Sequence, residues 1–239
     1  MRIFVINPNS SASMTAHLRR ELETVKGRTA DLTVVNPADG PASIESALDE
    51  ARAIPLALDL IAQAARDGFD AVVIACFADP GLDAAREIVS IPVVGIEESA
   101  LHVAAMLGHR FTILTARRER VPAKIEHVAR LGLSSRLASV RPLEMGVLEM
   151  EADPARAQGR ILKVGGAAVR EDGAEVLVLG CAGLAGYGTE LTGTLGVAVV
   201  DPAPVALKTA EMLVELKLTH SKRGLYAVPP SRRPVYEIP

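Results

Sequence analysis

GFDAVVIACFADPGLDAAREIVSIPVVGIEESAL, residues 68–101, and GAEVLVLGCAGLAGYGTELTGTLGVAVVDPAPVAL, residues 173–207, follow one plan. In each, a Gly, one further residue and an acid lead into an apolar run. A Cys follows, then a helical stretch, a Val-Val run and an Ala-Leu. Cys76 and Cys181 are 105 residues apart, and Val93 and Val199 are 106 apart. The starts of the two halves match as well: RIFVINPN from Arg2 and RFTILTAR from Arg110. Two copies are too few for a solenoid, so the repeat marks a duplicated domain.

Outward from the repeat, short apolar runs continue at Ile3–Ile6, Leu32–Val35, Ala71–Ala75, Val93–Ile96, Phe111–Leu114, Leu137–Val140, Val176–Leu179 and Val197–Val200. Most are rich in Val and Ile and apolar at successive positions. That is the pattern of strands covered by helices on both faces of a parallel sheet. Helical stretches lie between them. Met14, Leu18, Leu22 and Val25 form one stripe, and Ile161, Val164 and Ala168 form another behind Asp153-Pro154, an N-cap with Pro at the first helical position. Asp79-Pro80 carries the same start signal directly after Cys76-Phe77-Ala78. Pro55 is expected to divide the 43–67 region into two helices or to kink one. GPASIE, residues 40–45, reads as a turn and a helix start. Alternating strands and helices give an α/β fold of two similar four-stranded parallel-sheet domains. The expected boundaries are 1–97 with about 205–225 for the first domain and 98–204 for the second. Residues 219–239, with four Pro, four Lys or Arg, Tyr226 and Tyr236, read as an extended Pro-rich arm. The arm packs on its own domain or makes an oligomer contact.

The composition excludes several functions. The chain has 239 residues, 49% of them hydrophobic, with a net charge of −3 and no Trp. No basic stretch of helix length points to a nucleic acid. Four Phe and three Tyr are too few for a base-stacking platform. No run approaches ~20 apolar residues, so no membrane span is expected. The apolar run in MRIFVINPNSS is too short for a signal peptide, so the reading is a cytoplasmic protein with two reduced thiols. None of the five His falls at a metal-ligand spacing, and no metal is expected. His102 and His127 read as structural, and Arg117-Arg118-Glu119-Arg120 as a solvated turn.

The cysteines carry the chemistry. Each is expected just past the carboxyl end of a strand and just before a helix, at the edge where open α/β sheets bind ligands. A helix N-terminus there would favour thiolate. A cysteine in an apolar run is by itself usually a small buried hydrophobe. Equivalent placement in two repeats argues that both are functional. Two opposed thiols could form a redox pair, although there is no C-x-x-C. They could also move protons on the two faces of one carbon, one removing and the other returning. With each sulfur ~3.5 Å from that carbon, the sulfurs would stand roughly 7 Å apart.

VINPNSSASMT, VIACFADPGLDAARE, PVVGIEESAL, RFTILT, LVLGCAGLA and VVDPAPVALK together resemble the aspartate/glutamate/hydantoin racemase superfamily, most closely its hydantoin and allantoin racemase branch. The resemblance covers about residues 1–220. It implies two flavodoxin-like domains related by pseudo-twofold symmetry, a cofactor-free active site between them and a homo-oligomer. It places the paired catalytic thiols on Cys76 and Cys181, the first substrate loop on Asn9 and Ser10, a further substrate-binding Thr on Thr115, and a loop near the site on residues 40–45. Phe77, Ala78, Ala182 and Gly183 follow the thiols, and their backbone N–H groups are expected to hold substrate carbonyls and the enolate.

The chain departs from the amino-acid racemases of the superfamily. Those carry CNT at the first thiol, GCTH at the second and an Asp in the first loop. Here stand Cys76-Phe77-Ala78, Gly180-Cys181-Ala182-Gly183 and Asn9. The polar pocket for an amino-acid zwitterion is therefore largely missing, whereas a hydantoin C5–H lies beside a neutral ring carbonyl. The substrate expected is a small cyclic ureide: a 5-substituted hydantoin, with allantoin as the alternative. Decarboxylases of the superfamily keep a single active-site Cys, so retention of both favours racemisation. Other classes remain open. A superfamily isomerase or decarboxylase is one, and a non-catalytic two-lobed ligand-binding protein with inert thiols is another. A redox sensor with a reversible Cys76–Cys181 disulfide is a third.

Overall fold

The apolar N-terminal run forms β1 (Arg2–Ile6), of which only Arg2 is exposed. Its neighbours are β2 (Asp31–Val35), β3 (Ala71–Ile74, buried throughout) and β4 (Val93–Gly95). All pair in parallel, in the order β2-β1-β3-β4. The same arrangement recurs with β5 (Phe111–Thr115), β6 (Leu137–Pro142), β7 (Val176–Gly180) and β8 (Ala198–Val200), in the order β6-β5-β7-β8. The computed structural model describes residues 1–228, so residues 229–239 of the expected arm, with Tyr236, lie outside the described residues.

The chain divides into two units, Met1–Ile96 with the chain from Ala206 onward, and Glu97–Val205. In the first, α1 (Ala12–Val25) buries Met14, Leu18 and Leu22 and is capped by Ser11, whose hydroxyl accepts the Met14 N–H at 3.2 Å. α2 (Ala47–Arg66) is one helix with Pro55 inside it, not two. It starts at Ala47 behind the N-cap Ser46, so residues 40–45 form a loop, as the family resemblance implies, and not the helix start that their own pattern suggests. α2 covers a core that includes Phe4, Ile6, Ile61, Val72, Ile74 and Val93.

α3 corrects a second expectation. It spans Leu82–Ile88 behind Gly81, two residues later than Asp79-Pro80 predicts. Asp79 lies at φ +45, in the left-handed region, and not in the extended conformation usual for an N-cap. The signal at Asp153-Pro154 reads correctly: Asp153 accepts the Arg156 N–H at 3.0 Å and caps the helix Pro154–Asp172.

From Thr219 to Tyr226 the chain lies against α3 and β4. Lys222 Nζ donates to the carbonyls of Arg86, Glu87 and Val89 at the end of α3. Burial lowers its pKa from the usual value. The His220 ring meets Val93, and Arg86 donates to the Tyr226 hydroxyl at 3.2 Å. Among the described residues, no helix is long and apolar enough to cross a membrane.

Candidate active site

In the first unit the site residues come from the loops after β1 and β3. These strands are neighbours, and the sheet order reverses between them: β1 leads outward to β2, and β3 to β4. Such a switch point is where open α/β sheets leave a crevice at their carboxyl ends. Ala75 N–H extends the ladder to the Ile6 carbonyl at 2.8 Å, so Cys76 leaves the sheet beside the loop that begins at Asn7. Cys76 is half-buried, and Phe77 is buried.

The first loop is held by its own side chains. Asn7 Nδ2 donates to Asn9 Oδ1 at 2.8 Å, to Thr15 Oγ1 at 3.1 Å and to the Ser11 carbonyl at 3.3 Å. Asn9 Oδ1 also accepts the Ser11 N–H at 2.9 Å. The Asn9 amide thus organises the loop itself. Ser10 ties that loop to the next one, its N–H donating to the Pro41 carbonyl at 2.9 Å and its hydroxyl reaching Gly40 O at 3.2 Å. Sequence reading passed over Asn7. Its Oδ1 is buried with no hydrogen-bond partner among the described residues.

The second unit repeats the placement. Thr115 ends β5 and pairs in register with Gly180, the last residue of β7. Cys181 follows at once and is buried. It opens a short 3-10 turn, Ala182–Leu184, and its Sγ accepts the Gly183 N–H at 3.4 Å. A donor expected to hold substrate is therefore directed at the thiol. The next α-helix, Gly188–Leu195, starts seven residues after Cys181. Neither thiol directly precedes the α-helix that the sequence places after it. Thr115 is buried, and its carbonyl accepts the Leu143 N–H at 2.7 Å.

Two further buried acids were not read as part of a site. Asp79, three residues after Cys76, is 4% exposed, and its N–H closes a turn onto the Cys76 carbonyl at 3.0 Å. Glu97, in the first turn of α4 (Ile96–Leu107), is fully buried. Its Oε2 meets Lys124 Nζ at 2.7 Å and His127 Nδ1 at 2.9 Å, both from α5 (Val121–Arg130). Burial acts to raise the Glu97 pKa, but the attraction of Lys124 and His127 outweighs it and holds the carboxyl below its ordinary value. Of these three residues the sequence reading singled out only His127, as structural. Among the described residues, no group of three or more His, Cys, Asp and Glu side chains could hold a metal ion.

The sequence model of the family described as Asp/Glu/Hydantoin racemase matches residues 3–210. The chain belongs to this family. It is an isomerase of the racemase type, with sequence relatives at about 40% identity over nearly its whole length. A hydantoin racemase of Rhizobium meliloti is 42% identical over 229 residues, which are 96% of this chain and 95% of that protein. A hydantoin racemase of Pseudomonas sp. (strain NS671) is 40% identical, over 96% of this chain and 92% of that one. Among solved structures, allantoin racemase from Klebsiella pneumoniae superposes with a TM-score of 0.93 at 38% identity, covering 96% of this chain and 94% of that one.

Proposed function

We propose that this racemase inverts 5-substituted hydantoins at C5, without a cofactor, using Cys76 and Cys181 as paired acid and base. The observation that carries the reading is the equivalent position of the two thiols. Each leaves the strand next to a unit's first strand, at the point where the sheet order reverses. The hydantoin racemases at 42% and 40% identity support the substrate class.

One thiolate takes the C5 proton, and the C5–H electron pair moves into the ring carbonyl to form an enolate. The N–H groups of Phe77, Ala78 and Ala182 are the expected oxyanion donors. The opposite thiol then delivers its proton to the other face of C5. The product is the other enantiomer, and the two sulfurs have exchanged protonation states. Turnover of the reverse enantiomer, or exchange with solvent, resets them. The Gly183 N–H at Cys181 Sγ suits this cycle, because a donor to sulfur favours thiolate. Two thiols that must stay reduced suit a cytoplasmic setting.

Allantoin is the second reading, favoured by the similarity to allantoin racemase of known structure. Parallel polarimetry decides between them. The reading predicts that optical rotation decays at least tenfold faster for single enantiomers of a 5-benzyl or 5-alkyl hydantoin than for (S)-allantoin. The opposite order would transfer the assignment to allantoin, and decay of neither would reject both.

A further inference from the structure

We propose that Asp79 is a positioning residue for the Cys76 thiol, an inference that rests on the two-thiol reading and deepens it. Asp79 is one of three non-glycine residues at positive φ among the described residues, at +45. Such a conformation costs free energy unless the surroundings impose it. The helix that Asp79-Pro80 predicts would have explained the residue as a cap. Instead α3 begins at Leu82, behind Gly81.

The carboxyl group lies against β4. A Cβ built on Gly95 would stand 2.3 Å from Asp79 Cγ and Oδ2 and 2.5 Å from Oδ1. Any side chain at position 95 would therefore occupy the place of the carboxylate. Gly95 pairs in register with Ile74, two residues before Cys76. Asp79 accordingly holds the Cys76 loop from two directions. Its side chain rests on the end of β4, and its N–H donates to the Cys76 carbonyl at 3.0 Å. On the other side of the thiol, Ala75 is fixed by its ladder bond to Ile6. The main chain of Cys76 is thus pinned on both flanks.

The test combines Asp79→Asn, Asp79→Gly, Gly95→Ala and the double variant Gly95→Ala/Asp79→Gly. Asn tolerates the left-handed backbone and keeps the shape without the charge, and Gly relieves the backbone strain and leaves room for a methyl group at position 95. Three readouts are taken: thermal melting, kcat and KM for hydantoin racemisation, and iodoacetamide alkylation of each cysteine against pH, resolved by peptide mass spectrometry. Asp79→Asn is expected to lower kcat at least tenfold with KM within threefold. It should also displace the alkylation profile of Cys76, because the loop that carries the thiol is held less firmly, while leaving that of Cys181 in place. Gly95→Ala is expected to lower kcat and melting temperature together. Adding Asp79→Gly should restore the melting temperature but not kcat. Wild-type kcat and Cys76 profile in both Asp79→Asn and Asp79→Gly would overturn the proposal. So would equal displacement of both cysteine profiles with a lowered melting temperature, the mark of a merely structural residue. The alkylation arm needs no substrate. If the wild type racemises no hydantoin, the function fails while the Cys76 profile still decides the role of Asp79.

Discussion

At the scale of single residues, the fully buried Glu97 sets the clearest stability prediction. Its Oε2 bonds Lys124 and His127, which themselves are almost buried. Removing one partner of a buried pair leaves a charge poorly compensated, which costs about 3–5 kcal/mol. Lys124→Met should lose stability on that scale in urea unfolding. The pH dependence has a definite sign. The folded pKa of Glu97 lies below its ordinary value, so the unfolded chain takes up the proton first. The contribution is fully present above the unfolded value of about 4.3 and fades as pH falls from there through the folded pKa. Between about pH 5 and pH 3, the urea midpoint of Glu97→Gln should fall less steeply than that of the wild type; equal slopes would contradict the assignment. Nothing in PVVGIEESAL marks Glu97 as buried, because its partners lie more than twenty positions away and only folding brings them to it.

At the scale of elements, the strands were legible because parallel strands covered on both faces are apolar along most of their length. β3, β5 and β7 have no exposed residue at all. Helix starts were legible only where the local signal is also what the loop needs. Asp153-Pro154 caps a long helix, whereas the identical pair at Asp79-Pro80 is bent into a left-handed turn against Gly95. The propensity is the same, and tertiary contact decides between the outcomes. Gly180 is a comparable close approach. A Cβ there would lie 2.5 Å from the Leu114 carbonyl oxygen and 3.1 Å from Thr115 Cα, which are backbone atoms that cannot swing aside. Gly180→Ala should force β5 and β7 apart at the edge bearing Thr115 and Cys181. The expected loss is about 1–3 kcal/mol in thermal unfolding, with at least a tenfold fall in kcat. Gly159, in the interior of the helix Pro154–Asp172 with nothing within 4 Å of its would-be Cβ, is the control. Gly159→Ala should stabilise by about 0.5–1 kcal/mol and leave kcat unchanged.

At the scale of the whole molecule, the duplication written in the sequence reappears as two sheets of identical strand order, each with its cysteine after the third strand of the unit. That much follows from periodicity and from the spacing of two matched stretches. The loop interiors did not follow, because Asn7, Asn9 and Asp79 are placed by hydrogen bonds and contacts that no periodicity encodes. The central claim is that one thiol from each unit serves as acid and base in turn. Its most direct test is the fate of the C5 proton in deuterated water, followed by NMR and chiral chromatography for Cys76→Ala and Cys181→Ala with each hydantoin enantiomer. The two-thiol account predicts that neither variant interconverts the enantiomers, and that each exchanges the C5 proton of at most one of them, a different one for each variant. Racemisation of both enantiomers at the wild-type rate in either variant would contradict it.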